Sequence, residues 1–156
     1  MKIAVITGSS SGMGRDFAIK IDKEYTLDEI WLIARREERL KELGKELKTK
    51  ARILSYDLSS PSSIEEYKDL LNETKPEVEI LVNAAGFGVF GAFEKSGEKQ
   101  SDIVVLNDKA LVDITYTTLP YLKSGSSIVN LGSNSSWQPV PYIAVYGASK
   151  AFVLSF

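Results

Sequence analysis

Residues 2–7 (Lys-Ile-Ala-Val-Ile-Thr) are a short apolar, β-branched run that passes straight into Gly8-Ser9-Ser10-Ser11-Gly12-Met13-Gly14, and this junction constrains the fold more than any other stretch. The run has the length and make-up of a buried strand. Behind the loop, Phe17, Ala18, Ile21 and Tyr25 recur at helical spacing as one apolar stripe. Strand, glycine loop and helix in that order open an α/β sheet. Glycines permit a tight turn and let backbone N–H groups approach a pyrophosphate at the positive end of the helix. A phosphate loop of the ATPase type would carry a lysine, but Met13 and Gly14 follow Gly12. Triphosphate hydrolysis is therefore disfavoured and dinucleotide binding favoured.

The same alternation continues along the chain. Residues 29–34 read as a second strand ending at Arg35 and Arg36, followed by a charged helix with Leu40, Leu43 and Leu47 inward. A strand end of this kind faces the adenosine ribose, where an acidic residue selects a free 2'-hydroxyl and an arginine takes a 2'-phosphate. No Asp or Glu stands there, so NADP (NADPH) is favoured over NAD, with Arg35 as the first contact and Arg36 as the second. The less favoured reading is that the two arginines merely begin the charged helix. Residues 51–56 form a third strand leading to Asp57 and Leu58. A helix opened by Ser59-Ser60-Pro61-Ser62-Ser63 follows, with Ile64, Tyr67, Leu70 and Leu71 inward. Asp57 can meet an adenine or cap a turn. Residues 78–82 are a fourth strand that releases Asn83-Ala84-Ala85-Gly86-Phe87-Gly88, where Asn83 is best read as tying strand ends together. Residues 103–122 are apolar almost all round and predict a buried helix, with Asn107 inside it as a polar residue that needs partners. Residues 127–131 are the fifth strand. Ser133 follows at its carboxyl end, placed either to bond a substrate oxygen or to cap a turn.

With 156 residues, 44% hydrophobic and 26% charged, the chain reads as one globular domain with a real core. A net charge of −2 without basic runs gives no case for nucleic acid or an anionic membrane. The absence of Cys and His removes thiol nucleophiles, disulfides, histidine triads and the usual zinc sets, and no metal is expected. Chemistry must then rest on Ser, Tyr, Lys, Asn and carboxylates. No apolar run suits a signal peptide or a membrane span, so a cytoplasmic protein is the expectation.

Tyr146-Gly147-Ala148-Ser149-Lys150 offers such chemistry. On a helix, four-residue spacing stacks the phenol and the ammonium one turn apart. A fixed cation favours phenolate and moves a tyrosine toward the range of a general acid or base. The pair alone is weak, because such spacings arise by chance on many helices.

The ordered set of Thr7 to Gly14, Asp57-Leu58, Asn83 to Gly86, Asn107, Ser133 and Tyr146 to Lys150 resembles the short-chain dehydrogenase/reductase family, in its shorter-chained branch. The resemblance implies a Rossmann-like, doubly wound parallel sheet in order 3-2-1-4-5. It implies cofactor contacts from Gly8, Ser10, Ser11, Gly12, Met13, Gly14, Arg35, Arg36, Asp57, Leu58, Asn83, Ala84, Ala85, Gly86, Tyr146 and Lys150. Tyr146 is implied as the acid/base, Lys150 as the residue that lowers its pKa and binds the nicotinamide ribose, Ser133 as the group polarising the carbonyl, and Asn107 as the holder of a relay water. The reaction implied is hydride transfer between nicotinamide and a small-molecule carbonyl or secondary alcohol. Phe87, Phe90, Trp137 and Tyr142 could line an apolar pocket.

Two departures stand out. Ala84 replaces the family's usual second Asn, and the sequence stops six residues past Lys150, so a truncated chain or gene fragment without the C-terminal part of the family domain is expected. At full length a homodimer or homotetramer is expected. The rival functions are a non-catalytic NADP-binding or sensing domain and a methyltransferase using S-adenosylmethionine.

Overall fold

The computed structural model describes residues 1–97 and 99–156. Five strands, β1 (Lys2–Thr7), β2 (Glu29–Ile33), β3 (Lys50–Leu54), β4 (Glu77–Asn83) and β5 (Leu122–Asn130), form one sheet in the order β3-β2-β1-β4-β5 with all pairs parallel. Parallel neighbours need crossovers, and helices supply them. They are α1 (Gly12–Glu24), α2 (Glu37–Glu46), α3 (Pro61–Thr74), the short α4 (Phe93–Ser96), then α5 (Lys99–Val104) and α6 (Ala110–Thr118). α7 (Ala144–Ser155) follows β5. The chain reverses its winding direction at β1, so the connections leaving β1 and β4, which stay paired as far as Thr7 and Asn83, run to opposite faces of the sheet and leave a crevice at the carboxyl ends.

The strand pattern follows from layering. Residues 3–7 of β1 and all of β2 are buried, because helices cover both faces. Two apolar clusters result, one around Val5, Trp31, Tyr67, Leu71, Leu81 and Ile114, the other around Ile6, Ala18, Leu32, Leu40 and Val82. The Tyr67 hydroxyl bonds Thr118 Oγ1 at 2.7 Å, and Thr118 donates onward to Ile114 O, so the polar tip inside the first cluster is satisfied.

The helix expected over residues 103–122 differs in extent and burial. Helical structure begins at Lys99, widens into a π turn at Val105–Lys109, and ends at Thr118; Leu119–Tyr121 is a 3-10 turn holding Pro120. Leu122, read as helix, instead opens β5 and pairs with Val78. Four residues then detour before Ser127 resumes pairing with Ile80, the turn being held by Ser126 Oγ on Val78 O. The helix is also less buried than its composition suggested, since Val104, Tyr116 and Leu119 are exposed.

At the amino ends of the strands, away from the crevice, Glu29 is buried and takes Arg52 Nε at 2.7 Å, Lys50 Nζ at 2.7 Å and Trp31 Nε1 at 3.0 Å. Burial alone would raise this carboxyl, but the three donors outweigh it and hold its pKa at about 2. A carboxylate depressed in the folded state contributes stability that is complete above its unfolded pKa and lost as pH falls toward the folded one. We expect on the order of 2–3 kcal/mol to disappear between about pH 4.5 and pH 2. Urea unfolding across that range should show the decline, and Glu29→Gln should flatten it while lowering stability at pH 7.

Candidate active site

The crevice is built from loops at the carboxyl ends of β1, β2, β3 and β4. Gly8 turns with φ +66, a left-handed conformation open to glycine at little cost, and a Cβ on it would lie 2.6 Å from Ala84 O. The loop therefore lies directly on the chain leaving β4. Thr7 fixes that contact: its Oγ1 accepts from the backbone N–H groups of Ala84 at 3.0 Å and Ala85 at 3.1 Å. Ser9, fully buried, bonds Ile33 O and ties the loop to β2. The cleft so formed has a volume of about 320 Å³. Gly8, Ser10, Ser11, Gly12, Met13 and Gly14 line it from β1, Arg35 and Arg36 from β2, and Asp57 and Leu58 from β3; Ala84, Ala85 and Gly86 complete it from β4.

The two arginines are placed differently from the order of preference read in the sequence. Arg36 occupies the N-cap of α2 and its Nη2 donates to Ser10 Oγ at 2.9 Å and Ser11 Oγ at 2.8 Å, so the guanidinium lies over the glycine loop. Arg35 is exposed on the cleft wall, and its carbonyl accepts from Ser55 Oγ. Asp57 does two things at once, accepting from Ser59 N at 3.0 Å as a turn residue while facing the cleft. Asn83 does not reach the cleft wall. It is buried, and its amide donates to Thr115 Oγ1 and Asn130 Oδ1, both at 2.9 Å, joining β4 to α6 and β5. Tyr56, Leu106 and Leu131 also line the cleft. They carry no motif, and only the strand-end position of Tyr56 could have marked it beforehand.

The second half of the site lies where the β4 loop, the π turn and α7 meet. Asn107, 1% exposed, accepts from Phe87 N and donates to Phe87 O and Ser149 Oγ, each at 3.0 Å. The partners required by a buried amide are thus two backbone groups and a serine. Ser149 passes the link on by donating to Tyr146 O at 2.8 Å. Two close approaches complete the arrangement: a Cβ on Gly86 would fall 2.9 Å from Asn107 Oδ1, and one on Gly88 2.9 Å from Tyr146 Cδ2. The glycines after Asn83 therefore make room for the side chains as well as for a ligand.

Tyr146 and Lys150 stand one turn apart on α7, with Lys150 Nζ 5.8 Å from the Tyr146 ring centroid. Lys150 is buried and donates to Leu131 O at 2.7 Å. Burial lowers its ammonium below the ordinary lysine range, opposed by the charge of Asp108; burial raises Asp108, opposed by Lys150. Ser133 is half-buried and caps the 3-10 turn Asn134–Ser136, its Oγ accepting from Ser135 N at 3.3 Å and Ser135 Oγ at 3.0 Å. Phe90, Trp137 and Tyr142 are exposed; Phe90 and Tyr142 pair at 5.7 Å, while Trp137 lines a separate apolar hollow with Val140 and Ile143 beside α7. Among the described residues no cluster suited to a metal occurs and no helix is long and apolar enough to cross a membrane.

A parallel sheet in this order, with a glycine loop and a cleft at its switch point, defines a dinucleotide-binding α/β protein of the Rossmann type. The chain belongs to the short chain dehydrogenase family, whose model matches residues 2–156. It is 35% identical over 155 residues to an uncharacterized oxidoreductase of Staphylococcus epidermidis, covering 97% of this chain and 66% of that protein. It is 38% identical over 162 residues to sulfoacetaldehyde reductase 2 of Chromohalobacter salexigens, covering 99% and 63%. The structure of a short-chain dehydrogenase from Sphingobium yanoikuyae in complex with NADPH superposes with a TM-score of 0.85 at 31% identity, covering 99% of this chain and 63% of that one. The chain thus spans slightly less than two thirds of the length of these relatives.

Gly8→Ala should cost about 2–4 kcal/mol, from the left-handed φ and the clash with Ala84 O together. Urea denaturation is the check. Gly12→Ala, whose Cβ would meet nothing within 4 Å, should pay only the backbone part.

Proposed function

We propose that this chain supplies the cofactor-binding and proton-transferring half of an NADP-dependent oxidoreductase acting on a carbonyl or secondary alcohol. The observation that carries this reading is the juxtaposition of Tyr146 and a buried Lys150 on one face of α7, tied through Ser149 and Asn107 to the loop that walls the cleft. A sensing domain or a methyltransferase has no use for that pair.

The residues fit a pyridine dinucleotide. The glycine loop brings backbone N–H groups to the start of α1, where a pyrophosphate would be held. Arg36 with Ser10 and Ser11 forms a cationic, donor-rich corner suited to a 2'-phosphate. When bound, the nicotinamide supplies hydride chemistry. The protein's own part is to place a proton. Tyr146 gives its phenolic proton to the oxygen of a carbonyl undergoing reduction, or takes it from an alcohol. Lys150 favours the phenolate by its charge, and its donors not engaged by Leu131 O are free for ribose hydroxyls. Ser133, already fixed by its capping bonds, offers its hydroxyl proton to the same substrate oxygen. The relatives are named for reduction or oxidoreduction, and one similar structure holds NADPH, which supports the cofactor class. The exposed apolar residues Val104, Tyr116 and Phe152 on α5, α6 and α7 support a homo-oligomer in the whole protein.

Fluorescence titration should give tighter binding of NADPH than NADH, and Arg36→Ala should weaken NADPH by about 10- to 100-fold while leaving NADH within about threefold. Equal weakening of both would remove the 2'-phosphate reading. In protein that turns over, Tyr146→Phe should keep NADPH affinity and lose at least about 100-fold in kcat; retained turnover would remove Tyr146 from the mechanism.

A further inference from the structure

We propose that Asp108 is a positioning residue for the Tyr146–Lys150 pair, acting as the internal counter-charge of Lys150. The proposal rests on Lys150 being a working residue of the site, and it concerns a carboxyl that the hydride reading leaves without a task. Asp108 follows Asn107 in the π turn, and both are buried, at 9% and 1% exposure. Their fates differ. Asn107 satisfies its amide on Phe87 and Ser149, whereas Asp108 Oδ1 is shut away from solvent with no hydrogen-bond partner among the described residues. A carboxylate with one oxygen closed off from solvent and from donors is stabilised by a compensating charge nearby.

The neighbouring elements offer one. α7 packs on the π turn and carries buried Lys150, whose charge acts on Asp108 and is acted on in return. Other charges are turned elsewhere. Lys109 is exposed and pairs with Asp113 one turn along, and Lys99 and Asp102 on α5 are exposed. On β4, Glu77 and Glu79 lie at the far end of the strand, where Glu79 pairs with Lys2, and Lys123 at the start of β5 is likewise exposed at that end. The remaining titratable group on α7 is Tyr146 itself. Asp108 and Lys150 thus form a buried acid and base, each opposing the effect of burial on the other. With Asp108 ionised, Lys150 keeps its proton despite burial and remains available to stabilise the phenolate.

The test is the titration of Lys150 in the ligand-free protein, followed by NMR of lysine labelled at the ε-carbon, the signal being assigned with Lys150→Arg. Unmutated protein should show a main inflection below the ordinary lysine range and a second, smaller one in the acid range, where Asp108 ionises. Asp108→Asn should abolish the acid inflection and move the main one down by at least about half a pH unit, roughly a threefold change in the acid constant. A merely structural Asp108 would alter stability and leave the curve in place. An unmutated curve without an acid inflection, or a folded Asp108→Asn protein with an unmoved main inflection, overturns the proposal. Should Asp108→Asn fail to fold, the unmutated curve alone decides. Because no cofactor or turnover enters the measurement, loss of the oxidoreductase reading through NADPH titration would be recognised separately.

Discussion

The Asn107 side chain is the contact on which the working end of this molecule depends. One amide grips both backbone groups of Phe87 and the hydroxyl of Ser149, so it joins the loop after β4, the long helical segment and α7 at a single buried point. Two of these three elements stand off the sheet. The β4 loop has left the ladder, and α7 is connected to β5 only through an irregular stretch of thirteen residues, 131–143. A buried amide with all its partners in place specifies one arrangement and penalises others, because any shift leaves polar groups unpaired in a dry interior. Gly86 and Gly88 belong to the same joint, since bulk at either would drive the loop off Asn107 or Tyr146.

The charge cluster that stabilises the sheet and the residues proposed for catalysis lie at opposite ends of it. Glu29, with Arg52, Lys50 and Trp31, sits at the amino ends of the strands, while Arg36, Lys150 and Tyr146 gather at the carboxyl ends. The separation follows from topology. Parallel strands place all their carboxyl ends, and the loops that leave them, on one side, so residues needing exposure to a ligand collect there and residues that only bind the sheet together can collect on the other.

Much of this was legible in the sequence because its signals are local. Alternating apolar runs and helix stripes give the order of elements, and the order of motifs gives the family and with it the sheet order. What was not legible depended on where side chains turn. Arg35 and Arg36 are adjacent in the chain, and only the N-cap geometry of Arg36 aims it back over Ser10 and Ser11. Leu122 continued an apolar helix pattern, yet the chain changes course after Pro120 and uses it to begin β5. Nothing in the sequence separates Asp108 from its neighbour Lys109, yet the π turn buries one and exposes the other. Ser133 was legible as either a cap or a substrate contact, and its capping bonds hold the hydroxyl that the second role needs.

The π turn carries a consequence for how this segment can change over generations. A π turn holds one residue more than the α turn it replaces, and the wider turn takes up that residue so that the helix beyond it keeps its register. Asn107 within the turn and Ala110, Leu111 and Ile114 beyond it all face the interior, at the spacing of a single helix face. Loss of one residue between Val105 and Lys109 would narrow the turn to a regular helix, so α6 could keep its place in the core while the amide of Asn107 lost its aim at Phe87 and Ser149. The length of this stretch is therefore tied to the site rather than to the core.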